Sequence, residues 1–253
     1  TAPELSTMDW IHTAVVFDRS GSSGSICLDL NSGEDRLKIT NTTAFEPGEG
    51  EFSWSIWFNP TWFGGGHRQH KIFSKRGRYE NIELLIQRSK LIFYFKDRDE
   101  GLVKINSNNV VSEDIWYHVV VTRGDQLQMY VDGVLQDRKA DVSGYDVATG
   151  MNLVLGNSPF GYQSRYSFIG LIDYFAMWNT ELTAEEVAQI YNGGTSMDYN
   201  INNGDYGSGD SLIGFWRMDE GSGNTVADAS EGYDNNASFM GGPVWSEMGY
   251  SND

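Results

Sequence analysis

Apolar and polar residues alternate with period two along most of this chain, the pattern of β-strands that bury one face. Segment 51–60 places Phe52, Trp54, Ile56 and Phe58 on one face, until Trp57 and Pro60 interrupt the alternation. The same pattern predicts further strands over 10–17, 25–30, 35–39, 71–75, 81–88, 90–97, 152–157 and 168–179.

Turn signals separate these strands. Within 115–138, apolar residues alternate on both sides of Gly124-Asp125, and Asp132-Gly133 forms a second turn of the kind that tolerates positive φ. Ser89-Lys90 is expected to join the strands on either side of it. Short strands spaced about ten residues apart predict an antiparallel sandwich.

One helix is predicted near the C-terminal part of the chain. Thr183 can cap it, and Glu186, three residues later, completes a capping box. Val187 and Ile190 then share one face, and Asn192 opens the Gly-containing stop signal. The expected fold class is therefore all-β, an antiparallel β-sandwich with one short helix.

Composition and charge narrow the possible functions. The chain has 253 residues, of which 40% are apolar, so it is not a disordered tail. A net charge of −17 repels phosphate backbones, so nucleic acid is not expected as a partner. No apolar run is long enough for insertion into a membrane. Cys27 is the single cysteine, which excludes an intrachain disulfide, and its apolar neighbours predict a small core residue.

Seven segments in order carry a resemblance to a known family: ICLDLNSGEDRLKI, FSWSIWFNP, IFSK, WYHVVVTRGDQLQMYVDGVL, LVLGN, FIGLIDYFAMWNTELTAEEVAQIYNGG and LIGFWRMDEGSGNTVADAS. Together they resemble the LamG-like (laminin G-like) domains of the concanavalin A-like lectin/glucanase superfamily. The resemblance covers about residues 25–240 and implies a jelly-roll β-sandwich.

The segment order departs from that family. In many such domains the stretch around Trp216, Asp219 and Gly221 comes first, whereas here it comes last. An unpaired apolar strand would be a sticky edge, so we expect 211–240 to close the same sandwich, as in a circular permutation. The alternative is a truncated second repeat. We therefore predict one LamG-like domain over 1–253, with 1–24 as an N-terminal extension.

The resemblance also implies one structural Ca²⁺. An oxygen-rich set could hold it, since Ca²⁺ takes six to eight oxygen ligands; its predicted members are Asp173, Asp219, Asp228, Ser230, Asp234 and Asn236. The family's Glu after the strand Asp is replaced by Tyr174, and Glu231 is inserted in the loop. The alternative is a turn whose Asp and Asn side chains bond their own backbone.

Two loops carry aromatic residues suited to stacking on sugar rings. The predicted glycan-binding residues are Trp62, Phe63 and Arg68 in the first loop and Tyr162, Arg165 and Tyr166 in the second. The same aromatics could instead be lids over the core. An acidic protein should prefer neutral glycans, except where Arg68, Arg165 or a bound Ca²⁺ reverses the local field.

Catalysis is not expected, because no closely spaced carboxylate motif such as E-x-D-x-x-E is present. His118 is predicted to be packed in its strand with its ring satisfied by a neighbour. The Arg123-Gly124-Asp125 tripeptide lies in a hairpin turn, where Gly-Asp is expected for conformational reasons rather than for adhesion.

These features predict a non-catalytic, calcium-stabilised, lectin-like module for glycan or surface binding, in several copies or an array. It is expected outside the cell or on a surface. A structural or decoration subunit of a cell surface, filament or virion is the alternative, and a glycan-active enzyme comes third. The chain begins with Thr1 and lacks a charged-then-apolar leader, so a mature product or an excised domain is expected.

Overall fold

A computed structural model describes residues 26–40, 42–64, 68–140, 142–160, 167–194 and 197–247. The strand predicted over 10–17 lies outside them. The strands in chain order are β1 (Ile26–Leu30), β2 (Arg36–Ile39), β3 (Phe52–Trp62), β4 (His70–Arg76), β5 (Asn81–Gln87), β6 (Lys90–Asp97), β7 (Gly101–Asn106), β8 (Tyr117–Arg123), β9 (Gln126–Val131), β10 (Val134–Ala140), β11 (Leu153–Leu155), β12 (Ile169–Trp178), β13 (Leu212–Trp216), β14 (Thr225–Val226), β15 (Ala237–Met240) and β16 (Val244–Glu247). The helix α1 spans Ala184–Tyr191, and short 3₁₀ turns cover Thr43–Phe45, Asn192–Gly194 and Gly209–Ser211.

The strands form two antiparallel sheets, which confirms the predicted sandwich. Sheet A has the order β10-β9-β8-β3-β12-β1-β16, and β13 also pairs with β12. Sheet B has the order β14-β15-β2-β11-β4-β5-β6-β7. Sheets of one-face-buried strands pack face to face, so the alternating apolar positions meet between them.

The strands on either side of Asn31-Ser32-Gly33 belong to different sheets. β1 pairs with β12 and β16 in sheet A, whereas β2 pairs with β11 and β15 in sheet B. Asp35 fixes this crossing, since its carboxylate accepts bonds from the backbone N–H groups of Ser32 at 2.9 Å and Gly242 at 2.7 Å. The segment is therefore a corner between sheets rather than a hairpin.

The break in alternation at Trp57 follows from burial on both faces of β3. Trp54, Ile56 and Phe58 point into the main core between the sheets. Trp57 points the other way, into a second apolar cluster on the outer side of sheet A. A strand covered on both sides does not need polar residues at alternate positions.

The second cluster is closed by α1 and by the loop that follows it. Val187 and Ile190 of the helix pack on Trp57 and its neighbours, as the helical spacing predicts. The capping box is present: Glu186 N–H donates to Thr183 Oγ1 at 3.2 Å, and Thr183 N–H donates to Glu186 Oε2 at 2.9 Å. Asn192 ends the helix in the left-handed region, with φ of 46°.

Turn predictions are confirmed at two hairpins and wrong by one residue at a third. Gly124-Asp125 joins β8 to β9, and Asp132-Gly133 joins β9 to β10 with φ of 51° and 75°. The β5–β6 turn is Arg88-Ser89 instead of Ser89-Lys90, and both of its residues have positive φ. Strands β7, β14, β15 and β16 were not predicted from the alternation.

The C-terminal strands are paired with strands from the middle and start of the described chain. β13 pairs with β12, and Phe175 lies opposite Trp216. β15 pairs with β2, and β16 pairs with β1. That 211–240 and 25–180 fold as one cooperative domain stays a prediction, which a truncation described below tests.

Candidate functional site

Trp62 lies at the end of the long strand β3, where its side chain leaves the core. Its side chain is 44% exposed, although the preceding residues of β3 are almost all buried. A Cβ added at Gly64 would lie 2.7 Å from the indole Cζ2, so the backbone at Gly64 passes close to the ring. The indole therefore packs against its own loop while part of it stays exposed.

The buried His70 packs against the ring of Trp62. The two rings meet edge to face, with centroids 5.5 Å apart. His70 is 2% exposed, and its Nδ1 lies 2.9 Å from the carbonyl oxygen of Ser167. Its buried Nε2 has no hydrogen-bond partner among the described residues. A buried polar atom without a partner is uncommon in folded proteins, and this one is closed off from solvent.

Phe160 is a second exposed aromatic residue. It lies in a loop whose first residue, Asn157, contacts Ser167. Asn157 Nδ2 donates to Ser167 Oγ at 3.3 Å and to the Gly33 carbonyl at 3.2 Å. Asn157 Oδ1 in turn accepts the Ser158 N–H at 2.7 Å, which fixes the start of the loop. Phe160 is 55% exposed. Ser167 thus links the two aromatic loops at one end of the sandwich.

The remaining predicted glycan-binding residues divide into three groups. Arg68 is exposed next to this end of β4. Phe63 is half-buried and packs against the main core, and its stacking on a ligand stays a prediction. Its backbone N–H donates to Glu113 Oε1 at 3.0 Å. The predicted residues Tyr162, Arg165 and Tyr166 lie outside the described residues.

Asp228 organises the predicted calcium loop through its own hydrogen bonds. Oδ1 accepts from Phe215 N at 2.9 Å, Ser230 N at 3.1 Å and Ser230 Oγ at 2.6 Å. Oδ2 accepts from the backbone N–H of Asn235 at 3.2 Å and from its Nδ2 at 3.1 Å. Two carboxylate oxygens offer about four lone-pair sites, so these donors occupy the carboxylate.

The other loop residues extend this network outward. Asn236 Oδ1 accepts the Asp228 N–H at 2.9 Å, and Asn236 Nδ2 donates to Asp234 Oδ1 at 2.9 Å. Asn200 ties the loop to the segment before β13, because it donates to the Ala229 carbonyl at 3.0 Å and accepts the Glu231 N–H at 3.1 Å. The geometry is that of a side-chain-stabilised turn.

Asp173 and Asp219 are the two predicted carboxylate ligands that lie outside the loop sequence. Asp173 lies in β12, 1% exposed, and its Oδ1 accepts the Tyr174 N–H at 3.1 Å. Tyr174, which stands where the family has Glu, has φ of 45° at a bulge and is buried in the second cluster. Asp219 is exposed after β13.

The predicted donor set does not fit a resident calcium ion in this arrangement. Across residues 26–247, apart from the short gaps in the description, no three His, Cys, Asp or Glu side chains are grouped to hold a metal ion. Asp228, the central predicted ligand, already accepts five hydrogen bonds. Calcium at this loop stays a prediction from the resemblance.

Arg123 of the Arg-Gly-Asp sequence is a structural residue. It is 1% exposed, and its guanidinium donates to four carbonyl oxygens, those of Gly48, Gly50, Val142 and Tyr145, at 2.5–3.2 Å. Burial lowers the pKa of this guanidinium, while nearby carboxylates raise it. A buried Arg bound to backbone cannot present the tripeptide to an adhesion receptor.

His118 is buried beneath α1, as predicted. Its Nε2 lies 2.7 Å from Ser55 Oγ, and its ring stacks on Trp57 with centroids 4.6 Å apart. Burial lowers its pKa to about 3, so the ring is neutral at physiological pH. Ser55 is fully buried, so this Ser–His pair is a core contact rather than an accessible nucleophile.

The sequence model of the concanavalin A-like lectin/glucanases superfamily matches residues 31–188, which is more than half of the chain. The chain belongs to this superfamily. That membership agrees with the two antiparallel sheets and with the resemblance seen in the sequence.

Two curated proteins are similar to parts of this chain. Serum amyloid P-component of Mesocricetus auratus is 25% identical over 131 residues, 50% of this chain and 56% of that protein. C-reactive protein of Cavia porcellus is 36% identical over 73 residues, 27% of this chain and 32% of that protein. The matches thus span less than two thirds of either relative.

A solved structure from Bacteroides ovatus ATCC 8483, of a protein named for carbohydrate binding, has the same fold. Its TM-score is 0.67, and the superposition covers 90% of this chain and 61% of that chain at 14% identity. At that identity the likeness shows the fold alone. Within the part of the chain that the structure describes, no helix is long and apolar enough to cross a membrane.

Proposed function

We propose that this superfamily member is a non-catalytic module that binds glycans on an extracellular surface through the exposed ring of Trp62. The observation that carries the proposal is an indole, 44% exposed, pinned by Gly64 and His70 at the end of a buried strand. A large aromatic ring held rigidly in solvent loses little entropy on stacking against a sugar.

The surroundings of Trp62 supply the rest of a sugar site. Phe160 offers a second exposed ring, and Arg68 offers donors for hydroxyl groups. The superfamily name includes lectins, one relative is named for serum, and one structural neighbour is named for carbohydrate binding. Each of these supports an extracellular sugar-binding role without identifying the sugar.

Binding by one copy is expected to be weak. Each stacking contact contributes on the order of 1 kcal/mol, which gives a dissociation constant in the millimolar to micromolar range for a small site. Useful adhesion would need several copies acting together. Because the protein is acidic overall, neutral glycans are the expected ligands at this end of the sandwich.

A glycan array read with a multivalent form of the protein tests the proposal. Trp62→Ala should reduce binding to the best neutral glycan by about tenfold or more, since it removes a stacking platform. Tyr79→Ala is the matched control: Tyr79 is 42% exposed in the β4–β5 turn and lies under Arg78 and Arg98. It should leave binding unchanged.

Two results would redirect the assignment. Binding that survives both Trp62→Ala and Phe160→Ala would place the site elsewhere. No binding to any glycan, with Trp62 protected from chemical modification in an assembled array, would favour the structural or decoration role.

Calcium is a separate question at the Asp228 loop. Asp228→Ala should lower the free energy of unfolding by about 2–4 kcal/mol, because it strands several buried or half-buried donors. If the hydrogen bonds alone hold the loop, this loss is the same with and without a chelator. A melting temperature that falls on chelation in the parent but not in the variant, with calcium found by elemental analysis, would establish the ion.

A further inference from the structure

A second concave site lies at the end of the sandwich opposite Trp62. It is a cavity of about 160 Å³, lined by the start of β3, the end of β12, the start of β13 and the segment 44–51. The strand β3 runs from Phe52 at this end to Trp62 at the other, which is roughly 33 Å at the usual rise per residue. The cavity therefore shares no residue with the candidate sugar site.

The floor of the cavity is apolar. Phe52, Trp54 and Met177 are buried lining residues, and Ile213 closes the side formed by β13. The rings of Phe52 and Trp54 lie next to each other, with centroids 5.8 Å apart. An apolar protein cavity of about 150 Å³ can hold one benzene molecule. This cavity therefore has room for a single ring of that size.

The rim of the cavity carries negative charge. The charged residues among those that line it are Glu46 and Glu51, both carboxylates. Glu46 is already paired, because its Oε1 accepts a hydrogen bond from the buried Lys75 Nζ at 2.6 Å. Arg123, a second buried cation next to the rim, donates to the carbonyl oxygen of Gly50 at 3.2 Å. Both of these cations are thus bonded to groups other than Glu51.

Glu51 is the rim carboxylate that is open to a ligand. It is exposed, and its Oε2 accepts hydrogen bonds from Thr180 Oγ1 and from the Glu181 N–H, both at 3.2 Å. Its Oε1 accepts no hydrogen bond from the residues that the structure describes. Burial raises the pKa of Glu181, and the charge of Glu51 raises it further. The negative charge of Glu51 therefore acts on its surroundings and favours a cation at the rim.

We propose that this cavity binds a small primary amine that carries one apolar ring. The ring lies against Phe52 and Trp54 on the floor, and the ammonium group donates to Glu51 Oε1 at the rim. Asn179, an exposed lining residue, supplies an amide oxygen as a further acceptor. Glu51 repels an anionic ring compound, and a neutral one lacks the charge-assisted hydrogen bond.

Binding at this cavity is expected to be weak and selective for positive charge. One ring and one charged hydrogen bond give a dissociation constant in the millimolar to micromolar range. A charge-assisted hydrogen bond is about twice as strong as a neutral one, so an amine should bind about tenfold tighter than the alcohol of the same shape. This selectivity is the property that an experiment can measure.

Calorimetric titration of the intact chain with phenethylamine, phenethyl alcohol and phenylpropionate tests the proposal, because these probes share one ring and differ in charge. The first variant is Glu51→Gln, whose amide oxygen can still accept the bonds from Thr180 and Glu181. The matched control is Glu49→Gln, since Glu49 is exposed, is not among the lining residues and gives the same change in net charge. Ala44→Leu, at a lining position, fills the cavity. A thermal melt checks that each variant is folded.

The expected order of affinity is phenethylamine, then phenethyl alcohol, then phenylpropionate. Glu51→Gln should remove the tenfold preference for the amine over the alcohol, Glu49→Gln should keep it, and Ala44→Leu should abolish binding of both probes. The proposal is overturned by a preference that survives Glu51→Gln, by equal losses in both Gln variants, by unchanged binding in folded Ala44→Leu, or by no binding of the amine. Trp62→Ala should leave amine binding unchanged, so this site and the sugar site can fail separately.

Discussion

The outer sides of the two sheets differ in the residues that they carry at alternate strand positions. Sheet A turns Trp57, Tyr174 and Phe215 outward, and α1 with the following loop buries them in a second core. Sheet B turns Lys38, Lys104 and other cations outward, and the α-helix among the described residues packs on sheet A instead. An outward apolar face requires a cover that the chain must supply, whereas an outward charged face can meet solvent or a ligand.

The cover of sheet A is built from aromatic contacts. Phe215 stacks on Tyr199 with centroids 4.8 Å apart, and Tyr174 meets Phe215 edge to face at 5.4 Å. Tyr206 anchors the loop, since its hydroxyl donates to the Tyr199 carbonyl at 2.7 Å and accepts Trp178 Nε1 at 2.9 Å. Stability should therefore respond strongly to changes on the outside of sheet A and weakly to changes on the outside of sheet B.

The largest expected effect comes from removing the C-terminal strands. A chain that ends at Ser211 lacks β13, with Phe215 and Trp216, and also the partners of β1 and β2. Two cores then lose aromatic residues and a sheet gains an open edge, so cooperative unfolding should be lost and aggregation should increase. Calorimetry and size-exclusion chromatography measure both. A melt as sharp and as high as the parent's would make 211–240 an appendage and favour a truncated second repeat.

Phe215→Ala should have the next largest effect. Truncating a fully buried aromatic costs about 3–5 kcal/mol of unfolding free energy. Leu102→Ala on the outer side of sheet B is the control, because Leu102 is 54% exposed and its loss should change stability by less than about 0.5 kcal/mol. Urea denaturation of both variants measures the difference. Equal losses would remove the distinction between the two sheets.

Lowering the pH should reduce the stability of the protein, because His118 is buried in its neutral form on the outer side of sheet A. Its pKa in the folded protein is about 3 against an ordinary value of 6.5, because burial disfavours the charged ring. Below pH 6.5 the unfolded chain takes up a proton that the folded protein does not, so stability falls as pH falls, by about 1.4 kcal/mol per pH unit, until the folded pKa is reached.

The variant His118→Gln isolates this contribution. Its stability should be lower at neutral pH, because the bond to Ser55 and the stack on Trp57 are altered. Its loss of stability between pH 6.5 and 5 should nevertheless be smaller than that of the parent. Denaturant melts across that range measure both slopes, and parallel curves would show that His118 titrates normally.

Local patterns predicted most strands, because period-two alternation and turn residues act within a few positions. The strand β7 was not predicted, because the exposed Leu102 and Lys104 flank its few inward-pointing residues. Sheet membership could not be predicted either. β1 and β2 are separated by a short corner but find partners far along the chain, at β12 and β11.

The candidate sites likewise combine features that local sequence predicts with features that depend on long-range contacts. The Gly-rich loop pattern predicts both Trp62 and Phe63 as glycan-binding residues, but it cannot tell that Phe63 packs partly against the core while Trp62 is more exposed. The support of Trp62 by His70 and Ser167 joins residues 97 positions apart, which no local pattern reveals. Long-range pairing was missed for the same reason, since Lys38 and Lys104 fall in one cross-strand row only after the order of sheet B is known.

The smallest expected effect on stability belongs to Lys38→Gln combined with Lys104→Gln. The two side chains are roughly 24 Å apart, more than twice the screening length of about 8 Å at physiological salt, so they neither repel nor support each other. Lys104 is exposed and Lys38 is half-buried, and neither has a carboxylate on its own strand. The free energy of unfolding should therefore stay within about 0.5 kcal/mol of the parent's. If stability falls by several kcal/mol instead, those lysines hold the sheet together, and the outer side of sheet B is as structural as that of sheet A.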